Sequence, residues 1–430
     1  MKNKEEFIKI IDNKFYNYLI KNSLIPFTNV IERKEFLSRL YDNLMSNFLN
    51  YKPKPPRNYI SIPKNKYVIR MVPTFQLGDY CIYYFSIKVI EDYIAENRVE
   101  GTYGGYKLGG KLRIKENSDF EPTFEISYNE NSFNSFAWKQ EYGEYKAKLQ
   151  EHALKMGVDY NYAVVFDIAN FYDCIRLDLL ELKIKERINC NLFDDEIYLL
   201  FNFLKYWNSE FDKNKTIGIP QDEVGDCSRI LANFYLQSYD SYVEGICNEK
   251  HAKFFRFADD QIIFTKSKQD AESIMYKLSH QLFIEGLNIN TSKVKEFMTF
   301  QDFEDYFSFS IFDKLKFETQ DVNGAFELFL NKKHNCKDFK ASSVLKRLLH
   351  NKINLSLLDQ QNRIRLISYL WDEDFLLQAP AHYLYQIYRL LRDDCEKNEY
   401  LSTLEAIARK TQFESFKINH QRFKIKIKTK

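Results

Sequence analysis

The stretch Phe254-Phe-Arg-Phe-Ala-Asp-Asp-Gln-Ile-Ile-Phe264 constrains the fold of this chain more than any other. Two apolar runs of strand length flank a pair of adjacent acids, Asp259 and Asp260, which predicts a β-hairpin with the acids at its turn. Most such pairs are simply solvated. Two like charges side by side nevertheless repel each other, and a divalent cation would relieve that. A second run, Ala163-Val-Val-Phe-Asp167, predicts a buried strand that delivers a carboxylate where the chain turns into a helix. Such a carboxylate is costly unless a cation meets it; taken alone, a strand-end Asp is most often a helix cap. A third segment, Gly218-Ile-Pro-Gln221 followed by Ser228-Arg-Ile-Leu-Ala-Asn233, predicts a turn leading into a helix, with Ser228 near the helix start.

Around these segments the chain is long enough, at 430 residues, for two to four packed units. Its 37 Phe and 30 Tyr are a high share, much of it expected in the core, but aromatics set among basic residues also make stacking surfaces for bases. A net charge of +2 does not by itself indicate nucleic acid. No apolar run reaches the length of a bilayer, and the first residues lack a secretory pattern. Seven cysteines without a C-x-x-C pair argue against a disulfide framework and a structural zinc site. The expectation is a soluble cytoplasmic protein with no membrane partner.

Helical spacing runs through residues 1–50, and Pro53, Pro55 and Pro56 then break the chain. Alternation from Tyr59 to Val72 predicts strands decorated by Lys64, Lys66 and Arg70, and a helix follows over 77–96. Residues 101–110 hold five of the 13 glycines. They read as a flexible hairpin or as backbone approaching a phosphate chain, without the spacing of a dinucleotide or Walker A loop. Helices are expected over 145–158, 176–210, 227–249 and 268–285, a strand over 162–168, and a helical pattern over 338–410. The tail from Phe423 to Lys430 alternates apolar and basic residues, as an edge strand or frayed end does, or an arm that tracks phosphates.

The succession F-D-I-x-x-F-Y-D, G-I-P-Q with S-R-I-L-A-N, F-A-D-D, and Gly286-Leu-Asn-Ile-Asn-Thr-Ser-Lys293 resembles the sequence blocks of reverse transcriptases over roughly residues 60–310. Among these it is most similar to bacterial enzymes of the group II intron, retron and antiphage defence types, and of these to the defence-associated, abortive-infection group. The resemblance implies an α+β right-hand polymerase: fingers, a ferredoxin-like palm with an antiparallel sheet, and a helical thumb. It divides the chain into a helical N-terminal extension (1–58), fingers (59–160), palm with part of the fingers (161–310) and a helical thumb or C-terminal region (311–430).

The same resemblance implies the chemistry. Asp167, Asp259 and Asp260, with the backbone carbonyl of Ile168, would hold two Mg²⁺ ions, or Mn²⁺ in their place, for phosphoryl transfer to a 3′-hydroxyl. Tyr172 would lie under the sugar of the incoming dNTP and clash with a 2′-hydroxyl. Gln221 would sit near the nascent base pair, with Gly218, Pro220 and Ser228 beside template and primer. Lys293 would stand near the triphosphate, and Lys64, Lys66 and Arg70 would grip phosphates from the fingers. The chain departs from the pattern in the long acidic insertion Asp222-Glu-Val-Gly-Asp-Cys227 and in Phe257, where tyrosine is commoner. Residues 311–430 carry neither the strands of a ribonuclease H domain nor the Cys/His grouping of an intron endonuclease. The implied partners are an RNA template, in defence systems a dedicated non-coding RNA, together with dNTPs and a DNA product; an oligomer is compatible with this. Alternatives share the scaffold: template-independent or protein-primed DNA synthesis, a retron or intron enzyme, an RNA-dependent RNA polymerase (against which Tyr172 argues), and a non-catalytic RNA-binding protein.

Overall fold

Apolar strands paired at the centre of the chain decide its architecture. The computed structural model describes residues 1–429 except 97, 106–107, 109–110, 116–122, 128–132, 135–136, 222–225 and 318–319, and the backbone alone at 111–115, 123–127 and 137. Its strands are β1 (Asn58–Pro63), β2 (Ile69–Thr74), β3 (Thr102–Tyr103), β4 (Lys111–Lys115), β5 (Thr123–Ser127), β6 (Tyr162–Asp167), β7 (Lys253–Phe257), β8 (Asp260–Thr265) and β9 (Lys295–Phe297). The main sheet has the order β3-β7-β8-β6-β9, while β1-β2 and β4-β5 form separate two-stranded sheets. β6 runs antiparallel to both its neighbours, and every one of its residues is buried. A near-continuous apolar run is what such a doubly covered position requires. With helices packed on this sheet, the fold is α+β.

The chain divides into two compact units, one of Met1–Asn58 with Pro73–Met298 and one of Tyr59–Val72 with Thr299–Lys430. In the first, the helices Lys4–Ile10, Asn13–Asn22 and Arg33–Ser46 share the core instead of forming an extension of their own. Phe7 packs 4.7 Å from Phe85 and Phe15 stacks 3.7 Å from Tyr84, both on the long helix Leu77–Ala95, and Leu44 joins Ile82 and Leu199.

The first half of the glycine-rich stretch is not a flexible hairpin. Thr102 and Tyr103 form an edge strand parallel to β7, and the amides of Gly104 and Gly105 donate to Glu141 Oε2 at 3.0 and 2.8 Å. Residues 101–105 are therefore pinned to the sheet; Tyr106, Lys107, Gly109 and Gly110 lie outside the described residues.

The second unit is built of helices between Phe300 and Lys428 around a core that includes Phe326, Phe329, Leu348, Leu366, Leu384 and Phe423. The C-terminal tail is not a strand but the helix Glu414–Lys428. Phe416, His420, Phe423 and Ile427 face inward at a spacing of four, three and four, whereas Ile425 is 64% exposed. A helical stripe lay beneath the visible alternation. Among the described residues, no helix is long and apolar enough to cross a membrane.

Candidate active site

The register of the main sheet gathers the aspartates. Asp167 at the end of β6 lies opposite Asp260 at the start of β8, and Phe257 of β7 also pairs with Asp260 across the two-residue turn Ala258-Asp259. Directly opposed residues of an antiparallel pair project from the same face, with Cβ atoms about 5 Å apart. Asp167 is buried, Asp259 half-buried and Asp260 exposed, so the group opens outward from the sheet end.

A fourth segment closes on Asp167 from the other side. Asn290 N donates to the Asp167 carbonyl and Ala169 N to the Asn288 carbonyl, both at 2.8 Å, flanking the bridge between Ile168 and Ile289. These bonds use the carbonyl of Asp167 and the amide of Ala169, not the carbonyl of Ile168. The next turn, Thr291–Lys293, brings the Lys293 ammonium onto Asp167 Oδ2 as a hydrogen-bonded ion pair. Burial works against the lysine's charge, but Asp167, then Asp260 and Asp259, outweigh it and raise its pKa. All three carboxylates therefore act on this one ammonium.

The other Asp167 oxygen, Oδ1, is buried and has no hydrogen-bond partner. An unsatisfied carboxylate oxygen costs free energy. With Asp259 and Asp260 nearby it makes a hard-oxygen donor set that suits Mg²⁺ or Mn²⁺. Among the described residues no three His, Cys, Asp or Glu side chains form a ready-made cage. Mg²⁺ is commonly held by one or two carboxylates completed by substrate phosphates, so the residues present fit that ion without enclosing it.

The turn that carries Asp259 is braced from below. Ala258 has a φ of +54°, a left-handed conformation that costs a residue with a Cβ about 1–2 kcal/mol. Its amide donates to the Tyr103 carbonyl at 3.1 Å, and its carbonyl accepts from Arg256 Nη1 at 2.8 Å. Arg256 is wholly buried; Nε donates to Asp240 Oδ1 at 2.7 Å, Nη2 pairs with Asp240 Oδ2 at 2.5 Å, and Nη1 also reaches Asn233 Oδ1 at 2.8 Å. Asn233 Nδ2 in turn donates to the carbonyls of Gly104 (2.9 Å) and Gly105 (3.2 Å). A Cβ at Gly104 would lie 2.7 Å from the Ala258 nitrogen, so only glycine lets the edge strand approach the turn. Sequence reasoning gave no role to Arg256, Asp240 or Glu141. The available signal was a charged residue in the middle of an apolar strand, which must find a buried partner. Tyr142 was missed as well. Its ring packs 4.9 Å from Phe257, and burial together with the charge of Asp260 pushes its hydroxyl up to about 12.

Tyr172 and the Gly-Ile-Pro-Gln segment run side by side. Ile219 N donates to the Tyr172 carbonyl at 2.9 Å, Gly218 N donates to the Ile175 carbonyl at 2.7 Å, and Arg176 bridges Ile217. Gly218 has a φ of +91°, and a Cβ there would stand 3.2 Å from the Asp173 carbonyl oxygen. Tyr172 and Gln221 are half-buried, while Gly218 and Pro220 are buried. Ser228 is buried, with its hydroxyl 2.8 Å from that of Tyr83. Of the acidic insertion, Asp222 to Gly225 fall outside the described residues. Lys64, Lys66 and Arg70 belong to the second unit, on the β1-β2 hairpin, and all three are exposed.

The family described as reverse transcriptase (RNA-dependent DNA polymerase) matches residues 117–348, a little over half of the chain. No curated protein sequence matches significantly. Among solved structures, the chain is similar to telomerase from Candida tropicalis in complex with a TWJ fragment of telomeric RNA, at 13% identity and a TM-score of 0.34, covering 94% of this chain and 70% of that one. The apo form of telomerase from the same organism gives 12% identity and a TM-score of 0.35, over 90% of this chain and 72% of that one. Telomerase from Candida albicans with a TWJ fragment of telomeric RNA gives 11% identity and a TM-score of 0.29, over 91% and 76%.

Proposed function

The chain belongs to the reverse transcriptase family and is an RNA-directed DNA polymerase, and from that premise we propose that Asp167, Asp259 and Asp260 form its nucleotidyl-transfer site. The observation that carries this reading is the cross-strand register of Asp167 with Asp260, joined by an Asp167 oxygen that has no partner. The three carboxylates and the Ile168 carbonyl would hold two divalent ions. Such ions supply charge neutralisation for the attacking and leaving oxygens of an in-line displacement.

The protein's own part is positioning and charge. Asp167 is fixed by its pairing with Asp260 on one side and by the Asn290 amide on its carbonyl on the other, and Asp259 by the braced turn. Lys293, exposed along its length, holds a proton-rich head against Asp167 and can turn to the phosphates of an incoming dNTP. Tyr172 stands beside the Gly218–Gln221 segment, where a ring under the sugar would exclude a 2′-hydroxyl. Lys64, Lys66 and Arg70 remain candidates for phosphate contacts from the hairpin.

Primer extension on an RNA template tests the assignment. Asp259→Asn should abolish incorporation, and Tyr172→Ala should admit rNTPs that the unaltered protein rejects. Dominant rNTP use by the unaltered protein would refute the deoxynucleotide reading.

The finer reading is antiphage defence with a dedicated non-coding RNA as template, and motif resemblance alone supports it. Purification from the native host should recover one abundant RNA with complementary DNA. A second reading, protein-primed synthesis, would use a tyrosine hydroxyl of the chain as primer, and Tyr142, exposed and with its ring 4.9 Å from that of Phe257 beside the Asp259 turn, is a candidate on geometry. DNA covalently attached to the protein, and lost in Tyr142→Phe, would favour it.

A further inference from the structure

The second unit contains a cavity of about 490 Å³ whose lining includes Lys352, Arg363, Gln386, Arg389 and Arg392 and no acidic residue. Arg363 comes from the helix Gln360–Leu370, Gln386 and Arg389 from the helix Ala381–Leu390, and Lys352 and Arg392 from the loops beside them. Four cations around one concavity repel one another and raise its local potential.

Arg363 is built in, with only 7% of its surface exposed. Nη1 donates to the Leu390 carbonyl at 2.9 Å, and the guanidinium meets Glu396 at 3.3 and 3.4 Å. Glu396 also accepts from the Arg392 amide at 2.9 Å; that bond and the Arg363 guanidinium hold its carboxyl below the usual range. One carboxylate thus ties two of the arginine-bearing segments together from behind. It balances only one of the four charges. Arg363 Nε is buried without a partner, and Lys352, Arg389 and Arg392 are exposed at the mouth.

We propose that this cavity binds a compact phosphate chain, the triphosphate of a nucleotide or its inorganic equivalent. Guanidinium forks match phosphate oxygens, and one site with this excess of charge calls for a ligand with several negative charges. The volume suits a small molecule. A nucleic-acid backbone carries the same chemistry, but single strands are tracked by open grooves lined with stacking aromatics, and no aromatic residue lines this cavity.

Calorimetric titration of the full-length protein with sodium triphosphate in EDTA tests the idea, since chelation silences metal-dependent binding at the aspartates. Saturable binding is expected, weakened by about tenfold or more in Arg389→Ala/Arg392→Ala. Both arginines are exposed, so folding should survive, and Arg389→Lys/Arg392→Lys, which keeps the charges but not the forks, should bind more weakly than the unaltered protein and more tightly than the alanine pair. Asp259→Asn/Asp260→Asn should bind normally, as should Arg409→Ala/Lys410→Ala, which removes two charges elsewhere in the same unit. Three results would overturn the proposal. One is the absence of saturable binding, and another is equal loss in the 409/410 control. The third is an unphosphorylated RNA strand that depends on Arg389 and Arg392 where triphosphate does not.

Discussion

Replacing Arg256 by methionine should damage the protein more than any other single change near the aspartates. The guanidinium and its partner Asp240 are 0% and 1% exposed, so neither charge is relieved by water. Removing the arginine leaves a buried carboxylate alone, and breaking a buried pair in this way costs about 3–5 kcal/mol. The Asn233 side-chain oxygen and the Ala258 carbonyl lose a donor as well, each worth about 1 kcal/mol where no water enters. These terms overlap, so about 4 kcal/mol is the figure to test. Urea unfolding followed by circular dichroism would read it as a lower midpoint at unchanged slope. Arg256→Met/Asp240→Leu removes both charges and should recover much of the loss, because an apolar pair can replace a buried ion pair at little cost. Activity should not recover with stability, since the Ala258 carbonyl still lacks its brace and the Asp259 turn is free to relax from its left-handed residue. A single variant costing under about 1 kcal/mol, or a double variant as unstable as the single one, would refute this account of the turn.

Two further outcomes follow from charges elsewhere in the first unit. Lys293→Met removes the ammonium that occupies Asp167 Oδ2, so Mn²⁺ titrated without nucleotide, followed by paramagnetic relaxation, should bind more tightly; unchanged or weaker affinity would deny that lysine and metal compete. Asp79 is buried beneath the N-terminal helices, and burial raises its carboxyl from 3.8 to about 6 against the opposing bonds from Tyr51 and the Lys54 amide. The folded state keeps that proton longer than the unfolded chain, so the stability it lends is full below about pH 4 and lost as pH rises through about 6, some 3 kcal/mol in all. Asp79→Asn should flatten that slope in urea midpoints measured across the range, and parallel curves for the two proteins would dismiss the effect.

What could be read from residues alone was whatever burial writes at the period of its own element. β6 and the β7-β8 hairpin are apolar throughout or on both sides of their turn, and the helix Leu77–Ala95 is apolar over most of its length and buried on nearly every face. Tertiary partners are not written there. Residues 101–105 are a strand because β7, Glu141 and Asn233 satisfy their backbone, and a glycine-rich segment has no pattern of its own to announce that. The β1-β2 hairpin clusters with the C-terminal helices partly through Ser61, whose hydroxyl bridges the Gln412 carbonyl and the Glu414 amide at 3.3 and 3.1 Å. A contact across some three hundred and fifty residues of chain leaves no local trace. The same holds at the site. The three aspartates are visible as strand-end acids, but Arg256 reads as one more charge until Asp240 is found opposite it.

The two ion pairs near the aspartates solve different problems, and their chemistry shows which is permanent. Arg256 meets Asp240 through a planar fork with both side chains buried, an arrangement that a point charge could not copy and that has no reason to open during turnover. Lys293 meets Asp167 through a single ammonium on a side chain 62% exposed, while the carboxylate beside it is 4% exposed. A buried carboxylate at the end of an apolar strand is costly without a cation beside it. A flexible lysine can meet that need and then leave, because water stands ready to solvate its head. A fixed pair under the turn keeps Asp259 in place, and an exchangeable pair beside it keeps Asp167 partnered but available. That division explains why the first is buried among aromatic strands and the second hangs from a short turn at the sheet's edge.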